Sequence, residues 1–324
     1  MRSEKHKKKS KWKVVGSTIL GVVIIAAGAL GYEYNRLQPK NHFTNIPVVS
    51  SANTNQVAAP KDSVFNALLI GSDQRKGQKL GHSDSMMLIH VDLKKNQYQV
   101  VSIPRDTRVH LDGYGYTKLT SVQYIMQAAQ GTKAGIEAAV KAVGELTGVP
   151  INYYVETNYL GFQSMVDAIG GITMDVPTNV TLTAPWYKQN KNKVITKGVH
   201  TLNGEMVAEV VHERHSLATG EYGRQQMQEE ALKGIAKKAL DPTNIPRLPS
   251  LVNSIPNFLV ATNMSTSDIL SLGLAVKNFD ASKQLTYHQL HGVGQTMYDD
   301  ILKANNSQIV LNPQEIKDIM SKYF

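Results

Sequence analysis

Three aliphatic runs that end or begin on charged residues limit what this chain can fold into more than any other feature. Leu68-Leu-Ile-Gly-Ser leads into Asp73 and Arg75, His82 and Asp84 precede Met86-Met-Leu-Ile-His-Val91, and Val100-Val-Ser-Ile-Pro leads into Arg105, Asp106 and Thr107. Short, largely aliphatic stretches bounded by Gly or charge read as buried strands. If the three are neighbours in one sheet, their polar ends gather at one rim. Two carboxylates, Asp73 and Asp84, then share a small volume with several cations. Such a set suits Mg²⁺, which is commonly held by one or two carboxylates together with water and substrate phosphate. Guanidinium groups such as those of Arg75 and Arg105 match phosphate oxygens in shape and charge. Each of these residues alone would pass for a loop-end ion pair. Acid and base recurring at three successive strand ends argue for a site.

The rest of the chain alternates strand and helix. Val122 to Leu146 carries helix-like spacing broken at Gln130-Gly131-Thr132, which predicts two helices, the second stopped by Gly148-Val-Pro150. Ile151 to Thr157 reads as a strand. Tyr159 to Ile169 reads as a helix whose Leu160, Phe162, Met165, Val166 and Ile169 make one apolar face, either plain core or one wall of a lipid site. Thr178 to Lys197 is a polar loop holding Trp186 and Tyr187. The segment Leu202 to His215 predicts a short helix continuing as a strand. A helix opening at Glu221 and ending near Leu240 places Arg224 and Gln228 on one face, at an N-terminus favourable to phosphate. Leu251 to Phe279 predicts two helical parts, with Ser267-Asp268 capping before Ile269. A strand at Leu285 to Leu290, a turn at Gly292 to Gly294, a strand at Ile309 to Leu311 and a helix at Pro313 to Lys322 complete the domain. The expected class is α/β, a mixed central sheet sandwiched by helices, preceded by one transmembrane helix.

That transmembrane expectation comes from the N-terminus. The formal charge of +9 is concentrated in residues 1–13, where seven Lys and Arg face Glu4 alone and so supply six of the nine charges. Directly after this tail, Val14 to Tyr32 is uncharged and close to the roughly 20 residues that span a bilayer as helix. A basic flank of this kind fixes topology rather than binding nucleic acid. The expected organisation is a cytoplasmic tail at 1–13, a single-pass anchor at 14–34, an extracytoplasmic linker at 35–61 and one extracellular domain at 62–324. Ala27-Gly-Ala29 resembles a signal cleavage site, but the apolar run exceeds the usual signal core, which favours an uncleaved anchor. The linker is expected from Pro39, Pro47, Pro60 and the Ser-Ser-Ala-Asn-Thr-Asn stretch. The lack of cysteine fits a domain outside the cell that needs no thiol chemistry.

The ordered blocks Leu68-Leu-Ile-Gly-Ser-Asp73, Ser83-Asp84-Ser-Met, Ser102-Ile-Pro-Arg105-Asp106-Thr107, Gly148-Val-Pro-Ile-Asn-Tyr-Tyr, Asp167-Ala-Ile-Gly-Gly-Ile and Gly223-Arg224 make the chain resemble the LytR-CpsA-Psr family of cell-envelope proteins. The resemblance spans the anchor and nearly everything from Asp62 to Phe324. It implies a phosphotransferase that takes a teichoic-acid or capsular glycopolymer from an undecaprenyl-pyrophosphate carrier at the outer membrane face and joins it to peptidoglycan. It implies Asp73 and Asp84 as carboxylates tied to Mg²⁺. Arg75, Arg105, Arg214 and Arg224 would hold the pyrophosphate, with Lys118 and Gln228 nearby. The polyprenyl tail would lie in an apolar tunnel to which Leu160, Phe162 and Met165 contribute. A wall sugar hydroxyl would be the nucleophile, with a carboxylate such as Asp84 as candidate base.

The chain departs from the family pattern at His82, His212 and Met227, where the resemblance leads one to expect Arg, and mildly at Glu221, where Asp is usual. Each charge-assisted hydrogen bond is worth roughly 1.5 to 3 kcal/mol. His82 and His212 supply that charge only when protonated, with an unperturbed pKa of about 6.5. A second expectation is therefore a degenerate member that binds polyprenyl-phosphate precursors or an envelope partner without efficient turnover. No Gly-x-Ser-x-Gly, His-Glu-x-x-His or helix-turn-helix signature is present, which leaves hydrolase and nucleic-acid functions without sequence support.

Overall fold

The computed structural model describes residues 32–44, 46–50, 63–239, 241, 257–276 and 279–324. The three aliphatic runs are strands β1 (Val64–Ser72), β2 (Ser83–Asp92) and β3 (Gln97–Ile103), adjacent and antiparallel. Strand β6 (Tyr153–Asn158) joins β1 in parallel, and β12 (Leu285–Gln289) joins β3 in parallel. With the edge strand β11 (Leu259–Thr262), the six-stranded order is β11-β6-β1-β2-β3-β12. The mixed sheet follows from this alternation, because a parallel partner needs a crossover through a helical layer.

Side-chain alternation then decides what covers each face. Leu68, Ile70, Met86, Leu88, Val101 and Ile103 point to one side, against helices α2 (Leu119–Gln130) and α3 (Thr132–Thr147). These two helices are separated as expected. Gly131 (φ 92°) lies between them, and Gly148, in the left-handed region at φ 74°, ends the second. On the opposite face Phe65, Ala67, Val91, Tyr98 and Tyr153 form an aromatic cluster. Further along that face lie helices α4 (Tyr159–Ala168), α5 (Gly204–His212) and α6 (Glu221–Ala239), with a core of their own around Val166, Ile172, Met174, Val207 and Met227. Asn158 and Asn203 cap α4 and α5 by accepting from the N–H groups of Gly161 and Met206. Gly204 lets α5 sit on α4, because a Cβ there would lie 2.1 Å from the Gln163 carbonyl oxygen.

Four expectations need correction. Leu202 to His215 does not turn from helix into strand, since α5 runs unbroken to His212 and presents Val207, Ala208 and Val210 to the core. The strand-like appearance came from consecutive aliphatics that a helix buried on several sides also accommodates. Within 251–279, residues 259–262 are strand β11, and the helix α7 (Thr266–Ala275) is capped by Ser265, two residues before the expected Ser267-Asp268, in a reciprocal box with Asp268. Gly292–Gly294 is no turn: β13 (Gly292–Asp299) and β14 (Ala304–Leu311) form a long hairpin. Its mainly exposed, polar residues carry little hydrophobic alternation. Finally, part of the segment read as a tether packs into the domain. Phe43 and Ile46 are buried on Phe65 and Tyr153, and His42 Nε2 lies 2.8 Å from Asp268 Oδ1 on α7.

The anchor expected at Val14 to Tyr34 lies almost wholly outside the described residues. Among the described residues no helix is long and apolar enough to cross a membrane.

Candidate active site

Between the sheet and helices α4 to α6 lies a cavity of about 330 Å³, inside the range of ligand pockets. Its floor is Leu69, Met87 and Val155, and its roof is Phe162, Met165, Ala208, Val211, Leu232 and Ile235. Asp73, Asp84, His212, Arg224 and Gln228 line the same cavity. An apolar chamber with convergent charged groups is the arrangement expected for an amphiphile whose head is anionic and whose tail is hydrocarbon.

The carboxylates sit where the sheet register puts them. Asp73 follows β1 and Asp84 lies at the start of β2. The two strands bulge at Gly71 and Ser72, so that Ser72 pairs with Ser83. Asp73 Oδ1 accepts from the His82 backbone N–H at 2.6 Å, and its Oδ2 is 3.2 Å from His82 Nδ1. Burial works to raise the Asp73 pKa, but the His82 hydrogen bonds and the charges of His82 and Arg105 hold it below the ordinary carboxylate value. Asp84 is ion-paired through Oδ1 with Arg105 Nη1, both side chains mostly buried. Its backbone carbonyl accepts from Arg224 Nη2 at 2.7 Å.

Three guanidinium groups meet here. Arg224, 2 % exposed, also pairs with Glu221 Oε1 at 2.8 Å. Burial acts against the Arg105 charge, yet Asp84, Asp106 and Glu221 raise its pKa. Arg214 is half-buried, and its pKa is lowered by burial and then by the charges of Arg105 and Arg224. No side-chain acceptor among the described residues pairs with Arg214. Asp106 and Glu221 offset part of this, but like charges held together, one of them outside any ion pair, favour an anion.

The other expected residues stand at varied distances from this centre. Phe162, Met165 and Gln228 line the cavity, and Gln228 Oε1 accepts from Ser85 Oγ at 3.0 Å. Arg75 is exposed, with its guanidinium 4.9 Å from the centroid of the Trp186 ring, itself stacked on Tyr159 at the cavity wall. Lys118 is held 3.0 Å from Asp106 rather than in the cavity. Leu160 is not among the lining residues, because the helical turn that points Phe162 and Met165 at the sheet carries Leu160 aside. His212 needs a correction as well. Burial lowers its pKa, with Arg224 and Arg105 adding to the effect and Asp84 and Glu209 opposing it, so its protonation needs more acid than a free imidazole does. Met227 lies fully buried in the apolar core between α5 and α6 and does not line the cavity. Sequence reasoning passed over Tyr159, Trp186 and Ser85, and it placed Asp106 at the rim but gave neither Asp106 nor Glu221 a part in shaping the charge of Arg105.

Among the described residues no group of three or more His, Cys, Asp or Glu could hold a metal ion. An all-protein cage is therefore not built from them. Asp73 and Asp84 both line the cavity, and a Mg²⁺ ion completed by substrate phosphate and water would need no more protein carboxylates than these.

Behind the carboxylates, Glu156 on β6 is fully buried. Its Oε1 accepts from Gln123 Nε2 at 2.6 Å, while Ser83 Oγ donates to Gln123 Oε1. Burial pushes its pKa up to about 6, against the lowering effect of hydrogen bonds from Gln123 and Ser72. A raised carboxyl pKa contributes stability that is full below the unfolded value and lost as pH rises through the folded one. Glu156→Gln is therefore expected to match the parent near pH 4 and to exceed it by roughly 2 kcal/mol at pH 7.5. Denaturant unfolding at both pH values measures this, and a pH-independent difference would contradict it.

With this geometry in place, comparison with known proteins decides the family: residues 31–322 match the LytR_cpsA_psr family model. The chain belongs to the LytR_cpsA_psr family. A Bacillus anthracis relative, polyisoprenyl-teichoic acid–peptidoglycan teichoic acid transferase TagU, is 30 % identical over 299 residues, 91 % of each chain. The solved structure described as TagT bound to LIIa-WTA superposes with a TM-score of 0.65 at 26 % identity, covering 84 % of this chain and 94 % of that one. A second, of a LytR-CPS2A-psr family protein, YwtF (TagT), with bound octaprenyl pyrophosphate lipid, gives 0.58 at 26 % identity, covering 84 % and 93 %. The mixed sheet flanked by helices is thus the fold of this family.

Proposed function

We propose that this protein is a membrane-anchored phosphotransferase that joins a polyprenyl-pyrophosphate-linked glycopolymer to peptidoglycan at the outer face of the cell membrane. The observation that carries this is an apolar chamber lined by Asp73, Asp84 and Arg224, with Arg105 ion-paired to Asp84 and Arg214 close enough to feel the charges of Arg105 and Arg224 while forming no ion pair of its own among the described residues. The hydrocarbon tail lies along Phe162, Met165 and Met87, and the pyrophosphate rests against the guanidinium groups.

The acceptor hydroxyl oxygen attacks the phosphorus that bears the first sugar of the glycopolymer. The bond from that phosphorus to the bridging oxygen breaks, a new phosphodiester forms, and polyprenyl monophosphate leaves. The hydroxyl proton passes to a carboxylate at the cavity wall. Positioning and charge neutralisation dominate such a step, and the arginines supply both. Asp73, held ionised, and Asp84 are the residues that would hold Mg²⁺, which when bound neutralises phosphate charge. The uncharged run after the basic tail anchors the chain with its N-terminus in the cytoplasm and the domain outside.

The substitutions at His82, His212 and Met227, with His212 biased toward its neutral form, favour a second reading in which the site binds the lipid precursor without efficient turnover. One experiment separates the two. Full-length protein in detergent micelles is mixed with Mg²⁺, a polyprenyl-pyrophosphate-linked glycopolymer and peptidoglycan, and polyprenyl phosphate release is followed. Release that is lost in Asp73→Ala supports the transferase. Lipid retained without release at every pH supports the binder, and absence of lipid binding defeats both.

A further inference from the structure

Strands β4 (Arg108–Leu111) and β5 (Gly115–Lys118) form a hairpin that begins three residues after Arg105. In its register Arg108 stands opposite Lys118, and His110 opposite Tyr116. Val109, Leu111 and Thr117 are buried, so the alternating residues Arg108, His110, Tyr116 and Lys118 make up the outer face. Tyr116 is 46 % exposed. The Arg108 guanidinium lies 4.4 Å from its ring centroid, and the His110 ring meets it edge-on at 5.2 Å.

This ring is fixed although it is exposed. Asp300 Oδ2 accepts from the Tyr116 backbone N–H at 2.6 Å, and Thr117 Oγ1 donates to Asp299 Oδ2 at 2.9 Å. Arg108 Nη1 donates to the Tyr298 carbonyl and to Gln308 Oε1 at 3.0 and 2.6 Å, which locks the cation in place above the ring. Tyr298, on the adjoining strand β13, is itself 49 % exposed. A held, solvent-facing tyrosine such as Tyr116 offers large contact area at little conformational cost, which is what a partner with flat C–H surfaces and many hydroxyls needs. A polysaccharide has that chemistry.

The position of the hairpin selects which polysaccharide. At its inner end Lys118 pairs with Asp106, the neighbour of Arg105, so the face runs continuously into the reaction centre. No hairpin residue lines the apolar cavity. In an in-line displacement the nucleophile enters opposite the leaving group. With the polyprenyl phosphate leaving toward the cavity, the nucleophile arrives from outside it, on the side the hairpin flanks. We propose that the outer face of the β4–β5 hairpin docks the acceptor glycan strand of the wall, with Tyr116 as its stacking platform. The assignment rests on the transfer reaction proposed above.

The test uses full-length protein in detergent micelles, pelleted with purified sacculi stripped of attached glycopolymer, alongside polyprenyl pyrophosphate binding by the same samples. Tyr116→Ala is expected to lower sacculus retention roughly tenfold, about the value of one aromatic contact, and Tyr116→Trp to preserve it. Tyr298→Ala is expected to weaken retention as well, with lipid binding unchanged in all three. In the transfer assay the same loss raises KM for acceptor and leaves KM for donor alone. Unchanged retention in both alanine variants would overturn the proposal. So would a loss confined to soluble glycopolymer, which would make the face a donor site. If the parent protein binds no polyprenyl pyrophosphate, the transfer reaction fails first, and the sacculus result then reports on glycan binding alone.

Discussion

Arg105→Ala is expected to lower kcat/KM for glycopolymer transfer by about 10² to 10³, the range seen when one preorganised charge-stabilising donor is removed from a site. Arg105 faces Asp84, Asp106 and Glu221, and its side chain is largely buried, so its position is set before substrate arrives. Removing it strips the reaction centre of one of three converging guanidinium groups and leaves Asp84 without its ion-pair partner. Arg105→Lys keeps the charge but loses the planar fork, and is expected to recover only a small part of the rate. Initial rates with saturating acceptor measure the effect, and thermal unfolding of the same variants separates chemistry from folding. Activity of Arg105→Ala within threefold of the parent would remove this residue from the reaction.

Arg224→Ala has its largest expected effect on stability. The Arg224 and Glu221 side chains are 3 % and 12 % exposed and 2.8 Å apart, and the same Arg224 Nη2 also holds the Asp84 carbonyl. Truncating one partner of a buried pair leaves the other charge without compensation, typically at a cost of about 3 to 5 kcal/mol. Here the lower end is expected, because Glu221 keeps some access to solvent at the start of α6. Pairing Arg224→Met with Glu221→Gln removes both charges and is expected to recover most of that stability while transfer remains lost. Denaturant unfolding of the three proteins tests this, and a single variant as stable as the double would contradict a buried pair.

The central sheet was legible because β1, β2 and β3 are dense aliphatic runs with charged ends, and burial on both faces leaves few other conformations for such runs. The helix pair α2 and α3 was legible from Gly131 and Gly148. The β13–β14 hairpin was not, since Gly292-Val-Gly-Gln-Thr-Met-Tyr is mainly exposed and shows no one-sided pattern for burial to impose. Helix α5 was misread in its second half because Val210-Val211 next to His212 satisfies strand and buried-helix patterns equally. At the site, Asp73, Asp84, Arg224 and Gln228 were recoverable from strand ends and helix spacing, and all four line one cavity. The cavity's aromatic wall was not recoverable: Trp186 lies in a polar loop whose course is set by Glu209, which accepts from the Trp186 and Tyr187 backbone N–H groups at 2.8 and 2.9 Å. That is a long-range contact with no local sequence signature. The downward shift of the His212 pKa was likewise invisible, because burial rather than residue type causes it.

Phe43, seated between Phe65 and Tyr153, shortens the free lead of the domain. Ten residues lie between it and Tyr32, a span of at most roughly 40 Å even when fully drawn out, and part of that stretch is helical. Under the anchored reading proposed above, a chain leashed this closely would reach only the layer next to the bilayer, where a polyprenyl tail could enter the chamber without leaving its lipid neighbours.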